Sequence, residues 1–207
     1  MPKEVSDLIN LFQSMPGIGP KAATRIVLNL LTNNRELGAL ISSQIQNTLA
    51  IASTCPQCGN LSLSDELCAI CADTKRIASK IAIVGNIMDI YAIEKTNAYD
   101  GLYFVFTALN SLFNDRDDFD KVFKNLSSMI ENGLKKGLEQ FEIIFALPFN
   151  IDSEVACSVL QEQLISNFAD KITVTRISVG MPSGADFDYT DKITILKSFK
   201  ERAKYIA

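Results

Sequence analysis

The spacing of apolar residues changes near residue 80. Before that point they recur every three to four positions, the period of a helix with one buried face. Leu8, Ile9, Leu11 and Phe12 form a first stripe. Pro16-Gly17-Ile18-Gly19-Pro20 then interrupts it, and paired prolines and glycines break a helix and turn the chain. Ala22, Ala23, Ile26, Val27, Leu30 and Leu31 predict a second helix beginning near Lys21. Leu37, Leu40, Ile41, Ile45, Leu49 and Ile51 predict a third, amphipathic helix over about 36–52.

After Lys80, short apolar runs alternate with longer amphipathic stretches. Strands are expected at 81–84, 102–106, 141–147 (FEIIFAL) and 172–177. Helices are expected at 89–96, at 118–137 with Val122, Phe123, Leu126, Met129, Ile130 and Leu134 as its apolar face, and at 152–168 with Asp152 or Ser153 as its cap. Alternating strands and helices of these lengths build a parallel, doubly wound sheet. The end of the chain, 192–206, is apolar at Ile193, Ile195, Leu196 and Phe199 and then basic. The predicted class is α/β with an N-terminal all-α region.

Composition narrows the chemistry. The chain has 207 residues and no histidine, which excludes Ser-His and Cys-His catalysis. No apolar run reaches the roughly 18 residues of a membrane span, and the polar start MPKEVSDLIN lacks the apolar core of a signal peptide. A cytoplasmic protein is therefore expected. The net charge of −4 is unevenly spread. Residues 1–80 carry 7 basic and 6 acidic groups, net +1, and residues 81–207 carry 13 and 18, net −5. Contact with nucleic acid would need a local basic patch, which the N-terminal part is the better placed to offer.

Two motifs carry specific chemistry. In Met15–Ile26 (MPGIGPKAATRI), Gly17 and Gly19 permit positive φ and let a phosphate approach backbone N–H groups. A helix begins there, so its positive end faces the same point, and Lys21 and Arg25, one turn apart, can reach neighbouring phosphates. This pattern resembles the hairpin of helix-hairpin-helix proteins, which hold the DNA backbone without reading bases; a plain turn between packed helices is the alternative. The second motif is C-x2-C-x9-C-x2-C, formed by Cys55, Cys58, Cys68 and Cys71. Two such knuckles close a tetrahedral Zn²⁺ site with no open position, hence structural. Reduced thiols or redox pairs are the other readings. The fifth cysteine, Cys157, falls on a predicted helix with no basic neighbour in view, which suits a buried thiol.

The remaining signals are weaker. Asp89, Glu94, Asp152, Glu154, Asp186, Asp188 and Asp191 could hold Mg²⁺ at strand ends, or could be helix caps and solvated faces, which account well for Asp89 and Asp152. The segment Arg176–Asp191 carries a glycine-rich turn but no Gly-Lys-Ser/Thr, so it is no phosphate-binding loop of that kind.

The order of these pieces resembles the RecR family of bacterial recombination mediators over nearly the whole chain. The matching stretches are Met15–Lys21, the cysteine pairs with Cys58-Gly59-Asn60, Asp89 with Glu94-Lys95-Thr96, Tyr99, Gly101 and Tyr103, Glu142-Ile143-Ile144, Asp152-Ser153-Glu154, Thr175-Arg176, and Gly180, Pro182, Gly184, Asp186, Tyr189 and Asp191. The resemblance implies a helix-hairpin-helix region over 1–53, a four-cysteine zinc finger over 54–72, a Toprim domain over 79–176 and a C-terminal turn and tail over 177–207. It implies a ring-forming homo-oligomer, a dimer or tetramer, with contacts from the N-terminal helices and the C-terminal tail. It further implies binding of single- and double-stranded DNA through Gly17, Gly19, Lys21 and Arg25, and action with RecO and in many bacteria RecF to load RecA onto single-stranded DNA coated with SSB.

The chain departs from the Toprim pattern at four places: Gly85 stands where the first strand ends in glutamate, 107–110 reads Thr-Ala-Leu-Asn in place of the glycine-rich segment, Asp152-Ser153-Glu154 stands for the glutamate-glycine-glutamate of the later helix start, and Val179 replaces an arginine. Loss of the strand-end carboxylate removes a Mg²⁺ ligand, so a non-enzymatic mediator is expected. The alternatives are a Mg²⁺-dependent Toprim nuclease or primase and an interaction scaffold that no longer binds DNA.

Overall fold

A computed structural model of the chain describes residues 1–107, 116–178, 180–181, 184–200 and 202. It divides into two compact units, Met1–Ala52 and Ser53–Ala207. The expected turn at 107–110 and Val179 fall largely or wholly outside the described residues, as does the end of the basic tail.

The first unit holds three helices: α1 (Lys3–Gln13), α2 (Pro20–Thr32) and α3 (Arg35–Ile51). Its core is small, made of Ile9, Ala23 and Val27 with Val5, Leu8, Phe12 and Ile18 around them. Ala23 and Val27 are one turn apart on α2, which is why that helix packs on α1. The third amphipathic helix is present, but none of its residues is buried, and Leu40, Ile45 and Leu49 are 62%, 50% and 70% exposed.

After α3 the chain forms two three-residue strands, β1 (Ala52–Thr54) and β2 (Leu61–Leu63), and a four-residue helix, α4 (Ala69–Ala72). The main sheet follows: β3 (Ile77–Val84), β4 (Gly101–Val105), β5 (Phe141–Ala146) and β6 (Ile172–Arg176) lie in the order β4-β3-β5-β6. All three strand pairings are parallel. The helices are α5 (Ile87–Glu94), α6 (Arg116–Lys135), α7 (Ile151–Phe168) and α8 (Lys192–Lys200). Alternate residues of each strand go to opposite faces. Ile81, Ile83, Phe104, Ile143 and Phe145 pack against α6 and α7, while Ala82, Val84, Tyr103 and Val105 pack against Ile90 of α5. The parallel sheet with helices on both faces is the class read from the sequence.

The details differ at several ends. Strand β3 begins at Ile77 rather than Ile81, its register shifting between those residues; its first part, Ile77-Ala78-Ser79-Lys80, is exposed to half-buried and carries no sustained apolar run to read. Helix α7 is capped neither by Asp152 nor by Ser153. Asn150 is the cap: its side-chain oxygen accepts the Ser153 N–H at 2.8 Å. Ser153 is instead a buried residue of the helix's first turn, and Asp152 is an acid of the same turn. Asp89 serves as the third residue of a reciprocal capping box with Asn86, each side chain accepting the other's N–H at 3.1 Å. Asp191 holds the start of α8 by accepting the N–H groups of Ile193 and Thr194 at 3.0 and 2.9 Å. Cys157 is buried as expected and burial raises its thiol pKa, but a basic neighbour exists, since the Arg176 cation offsets part of that rise.

Candidate nucleic-acid hairpin and candidate metal centre

The hairpin is built by chain stiffness on both sides of a flexible centre. Helix α1 ends at Gln13, and a tight turn follows in which Ile18 N–H donates to Met15 O at 3.2 Å. Gly17 takes φ +80°, a conformation side chains rarely adopt. Gly19 does not share it: it is the cap of α2 at φ −81°, because the residue before a proline is driven to the extended region. Its lack of a side chain matters for access instead, since a Cβ at either glycine would meet nothing within 4 Å.

The N–H groups of Gly17 and Gly19 have no partner among the described residues. Helix α2 begins with Pro20 and leaves the Lys21 and Ala22 amides without intrahelical partners. Lys21 and Arg25 are both exposed on α2, while Ala23 and Val27 turn inward. Ile18 anchors the loop by packing against the small core. Free amides, a helix N-terminus and two solvated cations thus lie on one short stretch, an arrangement able to take a phosphate oxygen.

The four cysteines come together as their spacing requires. Cys55, Cys58 and Cys68 are buried, Cys71 is half-buried, and all four Sγ atoms lie within 4.8 Å of one another. The Cys58 and Cys68 sulfurs are 3.6 Å apart; a tetrahedron of Zn–S bonds of about 2.3 Å has edges of roughly 3.8 Å. Gly59, at φ +78°, turns the first knuckle, with its N–H donating to Cys55 O at 3.0 Å. Backbone N–H groups point at sulfur, from Asn60 to Cys58 at 3.5 Å and from Cys68 to Cys55 at 3.4 Å, which favours thiolates. Cys58 is drawn down to about 6 by its hydrogen bond with Cys71. Cys71 is pushed up by that same bond and by burial, and Cys68 by burial. The donor set fits a metal ion that prefers sulfur, and binding one would deprotonate all four thiols.

The acidic residues are not gathered in this way. Among the described residues the cysteines are the one group of three or more such ligands brought together. Glu94 receives both terminal nitrogens of Arg76 and the hydroxyl of Tyr103, the latter at 2.6 Å, so its pKa is lowered, first by the Arg76 hydrogen bonds. Glu154 accepts from Arg176 at 2.6 Å and from Lys197 at 3.2 Å. Both cations also sit over the Phe149 ring, at 4.4 and 4.8 Å from its centre. Sequence reading missed these partners because each comes from a distant part of the chain. Gly85 sits at the end of β3 with no carboxylate in its place, and Asp186 and Asp188 are exposed around a short 3-10 turn. No helix among the described residues is long and apolar enough to cross a membrane.

Comparison with known proteins bears on the whole arrangement. Residues 5–49 match the family described as RecR, helix-hairpin-helix, and residues 180–202 match RecR, C-terminal. The recombination protein RecR of a Nitratiruptor species is 32% identical over 202 residues, covering 98% of this chain and 97% of that protein. RecR of Ehrlichia chaffeensis is 32% identical over 200 residues, covering 96% and 97%, and RecR of Anaplasma phagocytophilum 31% over 199 residues, covering 96% and 98%. Identity at this level along the full length, joined to the hairpin, the cysteine cluster and the parallel sheet, shows that the chain belongs to the RecR family.

Proposed function

We propose that this protein is a non-enzymatic, DNA-binding recombination mediator acting in DNA repair in the cytoplasm, helping to load RecA onto single-stranded DNA with RecO and possibly RecF. Family membership supports the role in recombination. The observation that carries DNA binding is the hairpin, where free amides of Gly17 and Gly19 adjoin the start of α2 and the exposed cations Lys21 and Arg25. Such a site grips the sugar-phosphate backbone and reads no bases. Zn²⁺ is the metal assigned to Cys55, Cys58, Cys68 and Cys71, as a structural ion, because four thiolates leave no coordination position for substrate. Of the carboxylates a Toprim nuclease or primase would use, Glu94 and Glu154 are held by cations, Asp152 and Asp186 are exposed and not gathered with them, and glycine stands at position 85.

The protein works as a homo-oligomer, dimer or tetramer. Support comes from the first unit, where α3 leaves its apolar stripe exposed beside a groove of about 570 Å³ lined by Leu8, Leu11, Phe12, Leu31, Ile41 and Ile45. A helix of this kind, with no buried residue, gains most of its stability from packing. Several hairpins on one assembly would add avidity.

The test is binding to single- and double-stranded DNA across salt concentrations. Lys21→Ala and Arg25→Ala each weaken binding to all sequences alike and reduce the salt slope by about one unit. Unchanged affinity in both variants removes the hairpin from the DNA interface. Retained oligomers with no DNA affinity in dilute buffer select the scaffold reading.

A further inference from the structure

The metal knuckle is joined to the sheet at two points. The first is a hydrogen bond: Val105 N–H donates to Cys58 O at 2.8 Å. Strand β4 is the outermost strand of the sheet, and Val105 pairs with Val84 of β3 on its inner side. The Cys58 carbonyl therefore takes up a donor that an edge strand would otherwise leave open. Gly59 fits closely there, since a Cβ on it would stand 3.4 Å from Val105 Cβ.

The second point is Ile70, between the two cysteines of the second knuckle. It packs against the cysteine cluster, against the core on the α6 and α7 side of the sheet, and against the core on the α5 side. A side chain reaches both faces of a sheet only from beyond its rim. Ile70 thus pins the knuckle across the end of the sheet.

The knuckle has little of its own to hold this shape. Its regular structure is two three-residue strands and a four-residue helix, and its buried cluster is the cysteines themselves. Elements this short do not persist unaided.

We propose that the cysteine knuckle is a metal-dependent cap on the outer edge of β4: the bound metal keeps the Cys58 carbonyl on the Val105 amide and Ile70 across the rim, and release of the metal opens that edge. The proposal rests on the metal reading of the four cysteines. The linkage runs both ways: if the metal holds the edge, weakening the contact at the edge weakens hold on the metal.

The test uses the full-length protein loaded with Zn²⁺. Metal content is measured directly, metal release is followed with a chromogenic chelator, and hydrogen exchange is read at Val105 and at β5. Ile70→Ala keeps every ligand, releases Zn²⁺ about tenfold faster, as loss of outer-shell support does, and speeds exchange at Val105 more than in β5. Ile70→Val shows the same changes to a smaller extent and serves if the alanine variant does not fold. Leu164→Ala, at a buried residue of α7 in the main core, lowers thermal stability but releases metal at the wild-type rate. A folded, loaded Ile70 variant with wild-type release and wild-type Val105 exchange overturns the proposal, as does equal acceleration by Leu164→Ala. A protein that takes up no metal at all sinks the metal reading itself, a different and separately visible outcome.

Discussion

Glu94 offers the sharpest separation between a structural and a catalytic carboxylate. In Glu94→Gln the shape is kept and the charge removed. The Arg76 side chain is 15% exposed, so its cation stays mostly out of water and loses its counter-charge. The carboxylate accepts from both terminal nitrogens of Arg76 and from Tyr103, whereas the amide offers one acceptor oxygen. One charge-assisted bond is lost and another becomes neutral, a cost of about 2 kcal/mol once partial solvent access is allowed for. For a unit of this size that lowers the melting temperature by roughly 4–8 °C.

The pH dependence has a definite sign. The folded pKa of Glu94 lies below its ordinary value, chiefly through the Arg76 hydrogen bonds. Its stabilisation is full above the unfolded carboxylate value of about 4.3 and disappears as pH falls through the lower folded value. The gap between wild type and variant, measured by calorimetry, is constant from pH 7 to about 5 and closes below about 4. Equal melting temperatures at pH 7, or a gap that widens in acid, would refute the reasoning.

Other perturbations follow from the same contacts. Asn150→Ala removes the cap of α7 and costs about 1 kcal/mol in denaturant unfolding, whereas Asp152→Ala costs about 0.5 kcal/mol through the helix dipole alone; the reverse ranking would return the cap to Asp152. Glu154→Gln, at a side chain 48% exposed, costs less than about 1 kcal/mol and leaves DNA binding insensitive to Mg²⁺, whereas a Mg²⁺-dependent nicking activity that it abolished would restore the enzyme reading. Gly101→Ala places a Cβ 2.6 Å from Tyr99 Cζ and 2.7 Å from Lys80 O; this clash with ring and backbone costs about 3 kcal/mol, and a variant melting like wild type would show that β4 yields at little cost.

The amino-acid order alone determined the pieces whose physics is local. Hydrophobic spacing placed the helices and the parallel strands to within a few residues, because burial of one face repeats with the period of the backbone that carries it. The cysteine pairs marked a cluster able to hold a metal ion, since ligand chemistry and spacing suffice for that, and Pro-Gly-Ile-Gly-Pro declared a sharp turn. Tertiary structure decided everything that depends on partners distant in the chain. Asn150 outcompeted Asp152 as a cap because the chain entering α7 put it one residue before the first turn. Glu94 and Glu154 left the pool of candidate metal ligands because Arg76, Arg176 and Lys197 reached them from other elements. Ile70, one apolar residue inside a cysteine motif, became a bridge between both faces of the sheet. The period of a pattern fixes which way a side chain points from its own element, but the charge or surface it meets there is set by where the other elements pack.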